Sequence, residues 1–93
     1  MEITIQYTGQ LAGITGTSEE SFGCSGEQSL LDLVKTLAAK HGPEYKELVL
    51  TEQSRIRPSL LVIINGEQAE GPFESLKLQE SQTVMLMTPI AGG

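Results

Sequence analysis

The sequence predicts a small α+β domain in which one main helix packs on one face of a β-sheet. Residues 1–7 alternate apolar and polar side chains, which is typical of a half-buried strand. Residues 29–41 carry apolar side chains at the i, i+3, i+4 and i+7 spacing of a helix with one buried face. The runs 60–64 and 84–87 are apolar and have the length of strands. Because one helix covers only one face, the sheet of about five strands should keep an open face.

The first strand is followed by a stretch rich in turn-forming residues. Residues 9–17 contain three glycines and predict a turn, with Leu11 and Ile14 anchored in the core. The next stretch places Phe22 and Cys24 on one face and is a weaker strand. We expect these two strands to form an N-terminal hairpin.

The helix over residues 29–41 has recognisable ends. Ser29 and Asp32 resemble a capping box, with Asp in place of the usual Glu or Gln. Gly42 stands where a left-handed C-cap belongs, and Pro43 prevents continuation of the helix. Leu31 widens the predicted buried stripe, which comprises Leu30, Leu33, Val34, Leu37, Ala38 and His41.

The middle of the chain predicts a second short helix and a hairpin. Residues 44–50 favour the helix, and residues 51–58 are polar and favour a loop. The aliphatic strand after this loop ends in Asn65-Gly66, the preferred sequence of a type I′ turn because both central residues take positive φ. Residues 67–69 would form a short return strand.

The final strand, residues 83–87, leads into the C-terminal segment. Pro89 cannot donate a ladder hydrogen bond, so the strand should end before it. Gly92 and Gly93 end in a free carboxylate, which needs a better leaving group before it reacts as an acyl group. Glycine has no Cβ, so such a tail can enter a narrow channel of a partner enzyme. We prefer this interpretation to a frayed terminus or a cloning remnant.

The composition excludes several classes of function. The 93 residues correspond to one domain, and six Lys and Arg against twelve Asp and Glu give a net charge of −6. This charge argues against a nucleic-acid partner, which needs a basic surface. The single cysteine fits a reducing compartment, and neither a signal peptide nor an apolar segment of membrane-spanning length occurs. We therefore expect a cytoplasmic protein with no membrane partner.

Four segments in order and at matching spacing resemble the MoaD/ThiS family of ubiquitin-like small sulfur-carrier proteins. They are residues 5–16, 29–37, 61–67 and 84–93, of which the last, with its strand, proline, small residue and Gly-Gly, is the most specific. The resemblance implies a β-grasp fold, in which a mixed sheet of about five strands packs on one main helix. It also implies a single ubiquitin-like domain over residues 1–93.

The resemblance further implies what the flexible tail, residues 88–93, does. An ATP-dependent enzyme of the MoeB/ThiF type would adenylate the Gly93 carboxylate, and a sulfur donor would displace AMP to leave a thiocarboxylate. Because Gly92 has no side chain, it would keep the tail narrow where it enters the activating enzyme. The sulfur would pass to an acceptor such as the large subunit of molybdopterin synthase, with thiamine thiazole, cysteine and secondary-metabolite pathways also open. The chain itself would be no enzyme and would bind neither cofactor nor metal.

The resemblance also predicts a partner-binding surface on the final strand. It places Val84 and Leu86 toward the helix, so Met85 and Met87 would lie on the open face beside the tail. Grouped exposed apolar residues commonly mark binding surfaces, and the flexible thioether can adapt to more than one partner. Alternatively, loops cover this face and both methionines are core residues. The predicted partner-binding residues are Met85, Met87, Thr88, Pro89, Ile90 and Ala91.

Two other functions remain open at this stage. A ubiquitin-like modifier would join the activated Gly93 to lysine amines, whereas a β-grasp interaction module would have an inert tail. Cys24 is interpreted as a packed core residue in preference to a nucleophile, because free cysteine behaves as a small buried hydrophobe. His41 is interpreted as a side chain that caps the helix end in preference to a metal ligand, because no Cys or His cluster accompanies it.

Overall fold

Five strands and three helices occur within residues 2–23 and 26–89, which are the residues that this computed structural model describes. In chain order the elements are β1 (Glu2–Tyr7), α1 (Gly9–Thr15), β2 (Glu19–Gly23), α2 (Leu30–His41), α3 (Pro43–Val49), β3 (Leu61–Ile64), β4 (Glu67–Gln68) and β5 (Thr83–Met87). The last strand has the predicted bounds. Cys24, which was interpreted as a packed core residue, lies outside the described residues.

The strands form one mixed sheet in the order β2-β1-β5-β3-β4. The first and last strands are parallel neighbours in the middle of the sheet, where Ile5 lies opposite Val84. The other three pairings are antiparallel. The predicted mixed sheet of about five strands is therefore confirmed, with α2 as its main helix.

One face of the sheet and the apolar face of α2 form the core. The buried residues of β1, β5 and α2 are Ile3, Ile5, Tyr7, Val84, Leu86, Leu30, Leu33, Val34, Leu37 and Ala38. The predicted capping box begins α2: the Ser29 Oγ accepts from the Asp32 N–H at 3.2 Å, and the Asp32 carboxylate accepts from the Ser29 N–H at 3.1 Å. The bond from the Ser29 backbone lowers the pKa of the Asp32 carboxyl below its ordinary value.

The predicted turn over residues 9–17 is wrong, because most of this stretch forms helix α1. Leu11 is fully buried and Ile14 packs against the core, so two apolar side chains three residues apart hold the helix in place. Gly16, with φ of 76°, is the left-handed C-cap, and its N–H donates to the Ala12 carbonyl at 2.9 Å. The predicted antiparallel pairing of β1 and β2 is confirmed, but a helix connects the strands.

Gly42 has positive φ but is not the left-handed cap that the sequence predicted. Its φ is 102° and its ψ is −178°. Pro43 follows, and a residue before proline is pushed towards an extended ψ because the ring collides with a helical backbone. Pro43 is itself the first residue of α3, where its missing N–H would have no helical partner anyway. The predicted short second helix is thus confirmed and starts one residue earlier.

The predicted type I′ hairpin joins β3 to β4. Asn65 and Gly66 have φ of 50° and 85°, as this turn requires. The Asn65 side-chain oxygen accepts from the Thr83 N–H at 2.9 Å, and the Asn65 N–H donates to the Thr83 carbonyl at the same distance. These two bonds fix the start of β5 against the turn.

Candidate functional site

The sheet topology determines where the C-terminal tail leaves the domain. Because β1 and β5 are parallel neighbours, their carboxyl ends lie at the same end of the sheet. The chain leaves β5 after Met87, and the Thr88 hydroxyl donates to the Gln10 side-chain oxygen of α1 at 3.4 Å. Pro89 follows and is exposed. As predicted, the strand ends before this proline.

The reactive residues of the prediction lie beyond this point. Ile90, Ala91, Gly92 and Gly93 are outside the described residues, so the roles predicted for them stay predictions. The structure does show where the tail begins. It begins at an exposed proline, at the end of the sheet where β1 and β5 both terminate.

The two faces of β5 differ in burial in the expected way. Val84 and Leu86 have no exposed surface and belong to the core. Met85 and Met87 alternate with them on the opposite face and are half-buried. Their placement on the open face agrees with the sequence prediction, and their role in partner binding stays a prediction.

The strand register adds two residues that the sequence prediction missed. Ile63 lies opposite Met85 and Leu61 lies opposite Met87, so all four side chains share the open face. We call these four residues the open-face patch. Leu61 and Ile63 are half-buried as well. The aliphatic run alone did not reveal them, because only the register shows which side chains share a face with the methionines.

A cluster of polar side chains lies at the carboxyl end of α2. The Glu20 carboxylate of β2 is bound by the Lys40 ammonium at 2.6 Å, the His41 Nε2 at 2.7 Å and the Tyr7 hydroxyl at 2.6 Å. The Tyr45 hydroxyl donates to that of Tyr7 at 3.2 Å. We call these residues the Glu20 cluster. The sequence placed His41 at the helix end but did not predict its contact with Glu20.

The pKa shifts in this cluster follow from burial and hydrogen bonding. Burial alone would raise the pKa of the Glu20 carboxyl, but hydrogen bonds from Lys40, Tyr7 and His41 outweigh it and hold the pKa below its ordinary value. Burial raises the pKa of the Tyr7 hydroxyl, with its bond to Glu20 adding to the shift, and burial also raises that of Tyr45. Because Glu20 is bound by three side chains, we assign the cluster a structural role.

Residues 2–23 and 26–89 contain no group of three or more His, Cys, Asp or Glu side chains that could hold a metal ion. Within the same residues, no helix combines the length and apolarity needed to cross a bilayer.

The fold identifies the class of protein first. The mixed five-stranded sheet and its helices match those of ubiquitin-like proteins, so the fold is the ubiquitin-like β-grasp. The ThiS family model matches residues 5–93, and the chain therefore belongs to the ThiS family. This family comprises ubiquitin-like sulfur carriers and modifiers, which are generally non-catalytic.

Solved structures show the same fold at low sequence identity. SAMP1 from Haloferax volcanii is 19% identical, with all of both chains covered and a TM-score of 0.82. The small archaeal modifier protein 1 from Methanosarcina acetivorans is 25% identical over 99% of this chain and 96% of its own, with a TM-score of 0.77. A putative molybdopterin converting factor, subunit 1, from Pyrococcus furiosus is 17% identical over 97% and 99%, with a TM-score of 0.75. Comparison with curated proteins gives no match.

Proposed function

We propose that the protein is a sulfur carrier whose Gly93 carboxylate is converted to a thiocarboxylate. The carboxylate attacks the α-phosphorus of ATP in a partner enzyme, and pyrophosphate leaves. A persulfide sulfur then displaces AMP from the acyl carbon, and a second thiol cleaves the acyl disulfide to leave the thiocarboxylate. The observation that carries the proposal is that the match to the ThiS family extends through Gly93, so it includes the Gly-Gly terminus.

The proposed partners are an adenylating enzyme of the MoeB/ThiF type and a sulfur-acceptor enzyme in the cytoplasm. The chain supplies the acyl group and a binding surface, while ATP is bound and consumed by the activating enzyme. The open-face patch supports this proposal, because grouped apolar side chains beside the origin of the tail suit a docking surface. We take molybdopterin synthesis as the first pathway to test, since one similar structure is described as a molybdopterin converting factor subunit.

A protein modifier is the second candidate function. The observation that favours it is the likeness to a protein described as a small archaeal modifier. The same activated Gly93 would then be attacked by a lysine amine of another protein instead of by sulfur. Branched Gly-Gly remnants on lysines of other proteins would identify this function, whereas exchange of one carboxylate oxygen for sulfur would identify the carrier.

The tail provides the direct test. The full chain is incubated with ATP, a persulfide donor, a thiol that cleaves the acyl disulfide, and the ThiF-type adenylating enzyme of the source organism, and its intact mass is measured. Wild type should gain the mass of one oxygen-to-sulfur exchange, while deletion of Gly93 or addition of one alanine after it should abolish the gain. Both variants should keep the wild-type circular dichroism spectrum, because the change lies beyond the sheet. Sulfur loading of the extended chain without trimming would contradict the proposal.

A further inference from the structure

A groove runs between α1 and α3 and ends beside the origin of the tail. Its larger part has a volume of about 660 Å³, and a second part of about 420 Å³ reaches Thr88 and Pro89. Gln10, Glu47 and Leu48 line both parts, so the two are continuous. We call this feature the α1–α3 groove. An enzyme that draws the tail into its active site must hold the domain close to this groove.

The groove combines an apolar floor with an acidic wall. Ile14 from α1 and Leu48 from α3 are half-buried and pack against the core, so they form the floor. Glu44 and Glu47 are exposed and lie three residues apart on α3, which places both on one side of that helix. Neither takes part in an ion pair within residues 2–23 and 26–89. Both carboxylates are therefore available to a partner.

We propose that the α1–α3 groove binds a segment of the tail-activating enzyme in which an aliphatic or aromatic side chain lies next to a lysine or arginine. The apolar side chain would cover Ile14 and Leu48, and the cation would pair with Glu44 and Glu47. The inference rests on the proposed function, because it takes that enzyme as the partner. Charge disfavours two other occupants, because a second copy carries a net charge of −6 and nucleic acid carries phosphates, so the acidic wall would repel both.

The charge changes along the groove and gives the bound segment a direction. Arg57 lines the part near the tail, and its Nε donates to the Glu47 carbonyl at 2.7 Å. The basic side chain of the partner would lie over the α3 carboxylates, and a carbonyl or carboxylate of the partner would lie near Arg57. This orientation would run the partner segment towards Thr88 and the start of the tail.

The test measures ATP–pyrophosphate exchange by the ThiF-type adenylating enzyme at varied concentrations of the chain. The variant carries Glu44→Gln and Glu47→Gln. The control carries Glu67→Gln and Glu70→Gln, which remove the same two charges from exposed positions outside the groove. The groove variant should raise the KM for the chain about tenfold, or about 1.4 kcal/mol, with kcat unchanged because the tail is intact. The control should keep the wild-type KM.

A charge reversal separates the charge of the groove from its shape. Glu44→Lys with Glu47→Lys should raise the KM further than the amide variant, and high salt should narrow the difference between wild type and both variants. If wild type supports exchange and the groove variants share the KM of the control, the groove is not the docking site, while the proposed function stands. If wild type supports no exchange at all, the proposed function fails and the assignment of the groove to this enzyme fails with it.

Discussion

Within residues 2–23 and 26–89, the carboxylate of Glu20 contacts three other side chains. Glu20 stands on an edge strand, yet its side chain is only 12% exposed and is bound by Lys40, His41 and Tyr7. Lys40 and His41 come from the last turn of α2, so one carboxylate joins the edge of the sheet to the end of the helix. Burial of this charge is tolerated because each of these partners donates to it.

Replacing Glu20 should therefore reduce stability in a manner that depends on pH. Glu20→Gln should lower the free energy of unfolding by about 1–3 kcal/mol at neutral pH. Since the folded state holds the pKa of Glu20 below its ordinary value, this stabilisation is present above the unfolded-state pKa and is lost as the pH falls through the folded-state pKa. Urea unfolding at pH 7 and at about pH 3 measures the difference between wild type and variant.

The difference between wild type and Glu20→Gln should therefore be largest at pH 7 and shrink in acid. Glu67→Gln serves as the control, because Glu67 is exposed on β4 at the other edge of the sheet. It should change the unfolding free energy by less than about 0.5 kcal/mol at both pH values. An equal loss of stability by Glu20→Gln at pH 7 and in acid would contradict the role assigned to its charge.

At the scale of elements, α1 depends on glycines that have different tasks. Gly16 ends the helix in the left-handed conformation, with φ of 76°, whereas Gly13 lies inside the helix with no positive φ. Apart from its own stretch of backbone, a Cβ added to either residue would meet no atom of the described residues within 4 Å. Backbone conformation alone therefore decides how a substitution acts at each position.

The same substitution at these two positions should have opposite effects. Gly16→Ala should destabilise the protein by about 1–2 kcal/mol, because a side chain disfavours the left-handed conformation. Gly13→Ala should stabilise it by about 0.5–1 kcal/mol, because alanine is the better helix former. Urea denaturation gives both values, and each variant is the other's control. Changes of the same sign would show that residues 9–15 do not behave as a helix.

At the scale of the whole molecule, the sheet and helices bring three features to the origin of the tail. The parallel β1–β5 pair places the carboxyl ends of both strands at one end of the sheet. The open-face patch occupies the face away from α2. The α1–α3 groove ends at Thr88 and Pro89. A partner that binds the tail can therefore contact either surface without unfolding any element.

The open-face patch should be required for activation and not for folding. Met85→Glu with Met87→Glu should leave the circular dichroism spectrum unchanged, because both side chains point away from the core, and should greatly reduce exchange by the adenylating enzyme. Met85→Leu with Met87→Leu keeps the surface apolar and should retain most of the activity. A folded glutamate variant with wild-type exchange would exclude the patch as a docking site, and an unfolded one would show that the methionines belong to the core.

The sequence by itself determined the features that depend on local pattern. Ser29 and Asp32 form the capping box as predicted, because its two bonds join residues three apart. Asn65-Gly66 forms the predicted turn, because few other residues tolerate positive φ at both positions. The role of Gly92 and Gly93 was also inferred from the sequence, and it stays a proposal because both lie outside the described residues.

The tertiary structure alone decided the features that depend on register and packing. Helix α1 forms over glycines that predict a turn, because burial of Leu11 in the core outweighs weak helix propensity. Glu20 contacts the end of α2, about twenty residues further along the sequence, because strand pairing places it there. Strand pairing likewise places Leu61 and Ile63 in the open-face patch. The residues that make such contacts lie far apart in the sequence, so no local pattern predicts the contacts.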